Sequence, residues 1–135
     1  MESLTRSVVR ATDPALDVLA PSKPADQHPV AVYLARLAPG SRRAMRQILG
    51  VVASILGGAI DTVPWHLVRY QHTQLVRAQL AATLAPATAN KGLAALRGVL
   101  KEARRLGLMS AEDHARAVDL EAVRGSRVLR GRALS

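Results

Sequence analysis

From His28 onward, apolar residues recur at helical spacing along most of the chain. Val30, Tyr33, Leu34 and Leu37 form an i, i+3, i+4, i+7 stripe, and Pro29 suits a first helical position. Pro39 and Gly40 are expected to end this first helix. Ser41 is a good N-cap for a second helix running to about Leu56, where Gly57 and Gly58 stop it. On a wheel advancing about 100° per residue, Met45, Ile48, Leu49, Val52, Ile55 and Leu56 fall on one side of that helix. Arg43, Arg46, Gln47, Gly50 and Ser54 fall on the other, so one face is core and the other basic and small.

The segment "DTVPWHLVRY" (61–70) reads as a connector with Trp65 packed inward. A third helix is expected from His72 or Thr73 to Leu84, with Leu75, Val76, Leu80 and Leu84 inside. A fourth runs from about Thr88 to Leu106 and is closed by Gly107. Its apolar stripe is Ala89, Leu93, Leu96, Leu100 and Ala103, and Asn90, Arg97, Lys101 and Arg104 lie about a right angle away. Thr88 is placed to cap this helix, with Asn90 and Lys91 in its first turn. Ser110 followed by Asp113 resembles a capping box for a fifth helix through about Val123.

This pattern predicts an all-α fold, a compact bundle of four to five helices. Residues 1–27, with Pro14, Pro21 and Pro24 and no sustained period, read as a flexible N-terminal arm, 28–124 as the folded domain, and 125–135 as a basic, glycine-punctuated tail. Composition supports helices over a sheet. Phe is absent, Trp65 is the one tryptophan and Tyr33 and Tyr70 are the two tyrosines, so Leu, Val, Ile and Ala must fill the core.

Charge changes the picture more than composition does. The chain carries a formal net charge of +9, which attracts nucleic acid, anionic lipid or an acidic partner. Between Gln27 and Met109 the acids are Asp61 and Glu102, whereas eleven cations fall there: Arg36, Arg42, Arg43, Arg46, Arg69, Arg77, Lys91, Arg97, Lys101, Arg104 and Arg105. Cysteine is absent, which excludes disulfides and thiolate chemistry. No apolar run approaches the roughly 18 residues of a membrane span, and the N-terminus lacks the apolar core of a signal peptide, so a cytoplasmic protein is expected. The four histidines, His28, His66, His72 and His114, have no carboxylate at a metal-ligand spacing, so neither metal nor cofactor is expected.

The order "YLARLAPGSRRAMRQIL", "PWHLV", "LAPATANKGLAALRGVLKEARRLGLMS" and "VRGSRVLRGRALS" resembles the N-terminal core-binding domain of tyrosine recombinases, the phage integrase family. Its most telling part is the helix pattern carried by Thr88, Asn90, Leu93, Ala95, Leu96, Arg97, Leu100, Ala103, Gly107 and Leu108, and "GRALS" is similar to the linker entering that family's catalytic domain. The resemblance implies a SAM-like bundle forming half of a clamp on recombination-site duplex DNA and touching other protomers in the assembly. By position, it implies DNA contacts at Arg42, Arg43, Arg46 and Gln47 on the second helix and at Thr88, Asn90, Lys91, Arg97, Lys101 and Arg104 on the fourth. It also implies a catalytic domain beyond Ser135, so this chain is expected not to be an enzyme by itself.

Two other classes are compatible with the sequence. A small helical domain could regulate or bind another protein through its exposed faces. An enzyme would need a site that the residues do not assemble, since paired carboxylates, a nucleophile with its base, and a phosphate loop are all missing.

Overall fold

A computed structural model describes residues 24–125. The flexible-arm expectation for 1–23 and the tail beyond Gly125 lie outside the described residues. Among the described residues there are five α-helices and no strand: α1 (Pro29–Ala35), α2 (Pro39–Ile55), α3 (Tyr70–Thr83), α4 (Pro86–Arg105) and α5 (Ala111–Ala117). Short 3-10 turns at Ala25–Gln27 and Trp65–Leu67 complete the order. The first of these packs on α1, so the bundle already includes residues ahead of the expected boundary at His28.

The tripeptide Leu-Ala-Pro starts both long helices. Pro39 and Pro86 each occupy a first helical position, behind Ala38 and Ala85 in extended conformation. Proline is favoured there because its fixed φ suits the helix and its missing N–H has no intrahelical acceptor. Pro39 therefore opens α2 instead of closing α1, and neither Ser41 nor Thr88 is the cap. Both sit inside the first turn, and neither helix has a side-chain N-cap hydrogen bond. At the other ends, Gly57 (φ 94°) and Gly107 (φ 78°) take the left-handed conformation. The next amide then closes each helix: Gly58 N–H donates to the Ala53 carbonyl and Leu108 N–H to that of Ala103, both at 2.9 Å.

Shorter helices are held by side chains. His28 Nδ1 accepts from Val30 N–H at the start of α1, and Ser110 Oγ accepts from Asp113 N–H at 3.0 Å, as expected for α5. Ahead of α3, Arg69 N–H donates to His72 Nδ1 at 2.9 Å. That helix begins at Tyr70, two residues before the expected start. Burial, and secondarily the Arg69 guanidinium, lowers the His72 pKa and favours the neutral imidazole this bond requires.

α4 is the central element and packs against α1, α2, α3, α5 and the Trp65 turn. Its expected stripe is buried, and so are Gly92, Ala95 and Val99, which widens the apolar arc. Small residues let neighbours close in. An added methyl at Gly92 would lie 3.0 Å from Leu80 and 3.1 Å from Ile48, and one at Gly98 only 2.2 Å from the Tyr33 ring. Trp65 is buried, with its indole N–H donating to the Ile60 carbonyl at 3.0 Å. In α2, Ile48, Leu49, Val52 and Ala53 form the inner side, while Met45, Ile55 and Leu56 are half-buried at its margin. On α3, Val76 and Leu80 are buried as expected, but Leu75 is 64% exposed. With α3 starting earlier and Thr73 buried, its inward arc runs through Thr73, Val76 and Leu80 and turns Leu75 outward.

The fifth helix is shorter than the periodicity suggested. It stops at Ala117, and residues 119–125 continue without helical structure, though Leu120 and Val123 are buried. Side chains of α3 and α4 take up the carbonyls this segment would otherwise have used in helical bonds, as described below.

The Tyr33–Gly98 approach generates a stability prediction. Gly→Ala in a helix interior ordinarily stabilises by about 0.5–1 kcal/mol, whereas overpacking costs about 1–3 kcal/mol. Gly98→Ala should therefore destabilise by about 1–2 kcal/mol in urea unfolding, and the same change in a Tyr33→Ala background should be neutral or stabilising. Equal effects in both backgrounds would show that the ring does not constrain position 98.

Candidate nucleic-acid interface

The ten residues implied as DNA contacts divide into two groups. Arg42 turns back along the chain: its Nε donates to the carbonyls of Leu34 (3.0 Å) and Leu37 (3.1 Å), and Nη2 reaches that of Ala35 at 3.4 Å. This guanidinium caps the C-terminal carbonyls of α1 and the turn that follows it, where a positive charge also suits the helix dipole. Asn90 and Arg97 are likewise engaged. Asn90 donates from Nδ2 to the Val123 carbonyl at 2.9 Å and accepts from Val123 N–H at 2.7 Å, and Arg97 Nη2 donates to the Leu120 carbonyl at 2.5 Å.

The second group faces outward. Arg43, Arg46, Gln47, Thr88, Lys91, Lys101 and Arg104 are all exposed, and among the described residues their side chains have no hydrogen bond or ion pair. Gln47, Thr88 and Lys91 converge on one open groove of about 280 Å³ between α2 and the start of α4, floored by Ala44, Ile48, Val51 and Leu84. A neighbouring recess of about 390 Å³ shares Gln47 and Val51 and continues along Gly50, Ser54 and Ile55 of α2, with Gln79 and Thr83 of α3 opposite. The small residues of α2 thus border a continuous trough whose one charged lining residue is Lys91.

Arg46 lies apart from this trough, in a recess of about 230 Å³ with His28 and Asp61. Lys101 and Arg104 form a third position, beside His114 of α5. Burial first, then Arg104 and Lys101, lower the His114 pKa from its ordinary 6.5, because protonation would add a third positive charge there. From Lys91 to Arg104 is about 20 Å along the axis at 1.5 Å per residue.

The acids explain why this surface is so uniformly positive. Glu102 is 5% exposed and its Oε2 meets Arg105 Nη1 at 3.0 Å and Arg36 Nε at 3.6 Å. A buried carboxylate must be paired or hydrogen-bonded, so it takes two cations with it into a local cluster. Asp61 is then the sole exposed acid between Gln27 and Met109. Asp113 pairs with Arg69 at 3.3 Å, and Glu112 with Arg116 within one turn.

The sequence counts Arg77 among the cations but marks no contact for it or for Gln74. Arg77 donates from Nε to the Glu121 carbonyl at 2.7 Å and from Nη2 to that of Ala122 at 3.1 Å, and Gln74 Nε2 donates to the Asp119 carbonyl at 3.1 Å. No local pattern marks them, because their partners lie 44 or 45 residues away. Among the described residues no group of three His, Cys, Asp or Glu is placed to hold a metal, and no helix is long and apolar enough to cross a membrane.

The division makes Arg97 and Lys91 behave differently. A hydrogen bond from a charged donor contributes about 1.5–3 kcal/mol when its loss leaves a partner unsatisfied, so Arg97→Ala should lower stability by about that amount. Lys91→Ala should stay within about 0.5 kcal/mol of wild type, as exposed substitutions do. Thermal and urea unfolding of the two variants read this directly, and an unaltered midpoint for Arg97→Ala would show that the Leu120 contact carries no weight.

Comparison with known proteins finds no matching family model, no matching curated protein and no matching solved structure.

Proposed function

We propose that this domain grips duplex DNA through phosphates, as the core-binding half of a tyrosine recombinase clamp does. The observation that carries this reading is the segregation of charge. Arg43, Arg46, Lys91, Lys101 and Arg104 are exposed over a surface whose one exposed acid between Gln27 and Met109 is Asp61, and Gln47 and Thr88 add polar groups beside Lys91. Cations spread over two helices neutralise successive phosphates, and short polar side chains between them serve phosphate oxygens or base edges. Chemistry on the DNA belongs, in this proposal, to a catalytic domain following Ser135. Neither tyrosine of this chain suits a nucleophile: Tyr33 lies against Gly98 with its pKa raised by burial, and Tyr70 has no base beside it among the hydrogen bonds of the described residues.

A second reading, a protein-interaction domain, draws on α3, where Leu75 is 64% and Tyr70 49% exposed. Tight self-association with no affinity for DNA would favour it.

Salt dependence separates the two. Each phosphate neutralised adds about 0.9 to the slope of log affinity against log salt. If all five exposed cations meet phosphates, duplex affinity should fall roughly 500-fold between about 50 and 200 mM salt. Lys91→Ala should reduce the slope by about one without altering unfolding. A flat salt response would sink the proposal.

Proton linkage tests the far end of α4. Phosphate seated on Lys101 and Arg104 neutralises the charges that oppose His114 protonation, so the His114 pKa should rise on binding. The complex then takes up protons, and affinity should improve as pH falls between the bound and free values. Asp113 is held by Arg69 and Glu112 by Arg116, so neither nearby acid offers His114 an unpaired carboxylate. Histidine NMR titrations with and without saturating duplex measure the shift, and an unmoved His114 would place Lys101 and Arg104 outside the contact.

A further inference from the structure

Residues 119–123 present an uninterrupted row of carbonyl oxygens to the groove between α3 and α4, and every one is taken by a side chain. Gln74 holds Asp119, Arg97 holds Leu120, Arg77 holds Glu121 and Ala122, and Asn90 holds Val123. Four donors on two helices thus read five consecutive backbone acceptors. The contacts made to the segment's own side chains are apolar, through buried Leu120 and Val123. This groove recognises a linear array of oxygens rather than a side-chain sequence.

Two of the four donors are guanidiniums, and Asn90 and Arg97 share a helix flank with exposed Lys101 and Arg104. Extending that flank along its own line leads directly under the segment. A nucleic-acid backbone is also a linear array of oxygen acceptors, and it is charged, so a guanidinium binds it more strongly than it binds a neutral carbonyl. The cost of exchange is exposure of Leu120 and Val123.

The geometry points to a second, latent polyanion-binding surface formed by Arg77, Asn90 and Arg97, which residues 119–123 occupy in place of a nucleic-acid strand and give up when one displaces them. This inference rests on the DNA-binding reading above and extends it: the segment limits how many phosphates the domain can engage. In the closed form Arg77 and Arg97 are withheld, and in the open form they join Lys101 and Arg104.

The test uses the full chain, with charge-neutral changes to release the segment. Leu120→Ser with Val123→Ser removes the apolar anchors. Val123→Pro, the gentler variant, removes the N–H that Asn90 accepts and leaves Leu120 in the core. Amide hydrogen exchange over 119–123, and over 119–122 in the proline variant, reports release without any DNA. Binding of a fluorescent duplex, measured by anisotropy at several salt concentrations, reports function. Release should steepen the salt slope by about two, because two cations become available, so the gain in affinity at 50 mM should exceed that at 200 mM roughly tenfold. Arg77→Ala with Arg97→Ala should also raise exchange but leave the slope no steeper than wild type. Faster exchange with an unchanged slope, in a protein whose wild type binds duplex, overturns the latent surface alone. Unchanged exchange in both release variants overturns it too, since the segment would then not be held by these contacts. Absence of duplex binding by wild type and variants at 50 mM salt, with faster exchange observed, would instead remove the DNA-binding reading.

Discussion

Everything in this bundle depends on how closely its neighbours can approach α4. With one tryptophan, two tyrosines and no phenylalanine, the chain has few large side chains to fill space, so helices must approach closely to keep the interior dense. Gly92 and Ala95 give α4 a thin side, into which Ile48 of α2 and Leu80 of α3 reach, while Gly98 accepts the ring of Tyr33 from α1. Its thicker side, Leu93, Leu96 and Leu100, supplies the apolar volume. Buried on so much of its circumference, α4 has a narrow arc left for anything else. That arc carries Asn90, Lys91, Arg97, Lys101 and Arg104, so core and charge are partitioned on one helix by its neighbours' positions.

The same constraint shapes the electrostatics. Glu102 lies in the buried arc, where a carboxylate cannot stand alone, and it is compensated by Arg105 one turn on and Arg36 at the end of α1. Arg42 is similarly committed to the carbonyls that end α1. Internal duties therefore absorb several cations that composition counts as surface charge. What remains outside is smaller in number but almost unopposed by acids, which matters more for attracting a polyanion than the net charge does.

Much of the fold was legible because helix ends and apolar stripes are local properties. The stripes of α1 and α4, the inner faces of α2, the glycine stops at Gly57 and Gly107 and the Ser110 cap all follow from residues within a turn or two of one another. The misread starts of α2 and α4 have one cause. A hydroxyl residue is a favourable N-cap, but proline at the first helical position with its own geometry set in advance takes precedence, and Leu-Ala-Pro does so twice. The end of α5 was not legible for a different reason. Residues 118–123 carry no helix breaker, and the carbonyls of 119–123 are taken instead by Gln74, Arg77, Asn90 and Arg97, which lie far away in sequence.

That long-range contact also decides how the basic flank should be understood. A helical wheel places Asn90, Arg97, Lys101 and Arg104 in one line and gives no reason to distinguish them. In the fold, the first two face backbone carbonyls and the last two face solvent, although all four have the same relation to the core. The distinction is not one of side-chain chemistry, because a guanidinium that satisfies a carbonyl also satisfies a phosphate oxygen. It is one of occupancy, set by whether the burial of Leu120 and Val123 together with five neutral acceptors outweighs the stronger attraction of an ionised strand. Since the second quantity falls with salt and the first does not, the balance between closed and open flank is itself a function of ionic strength.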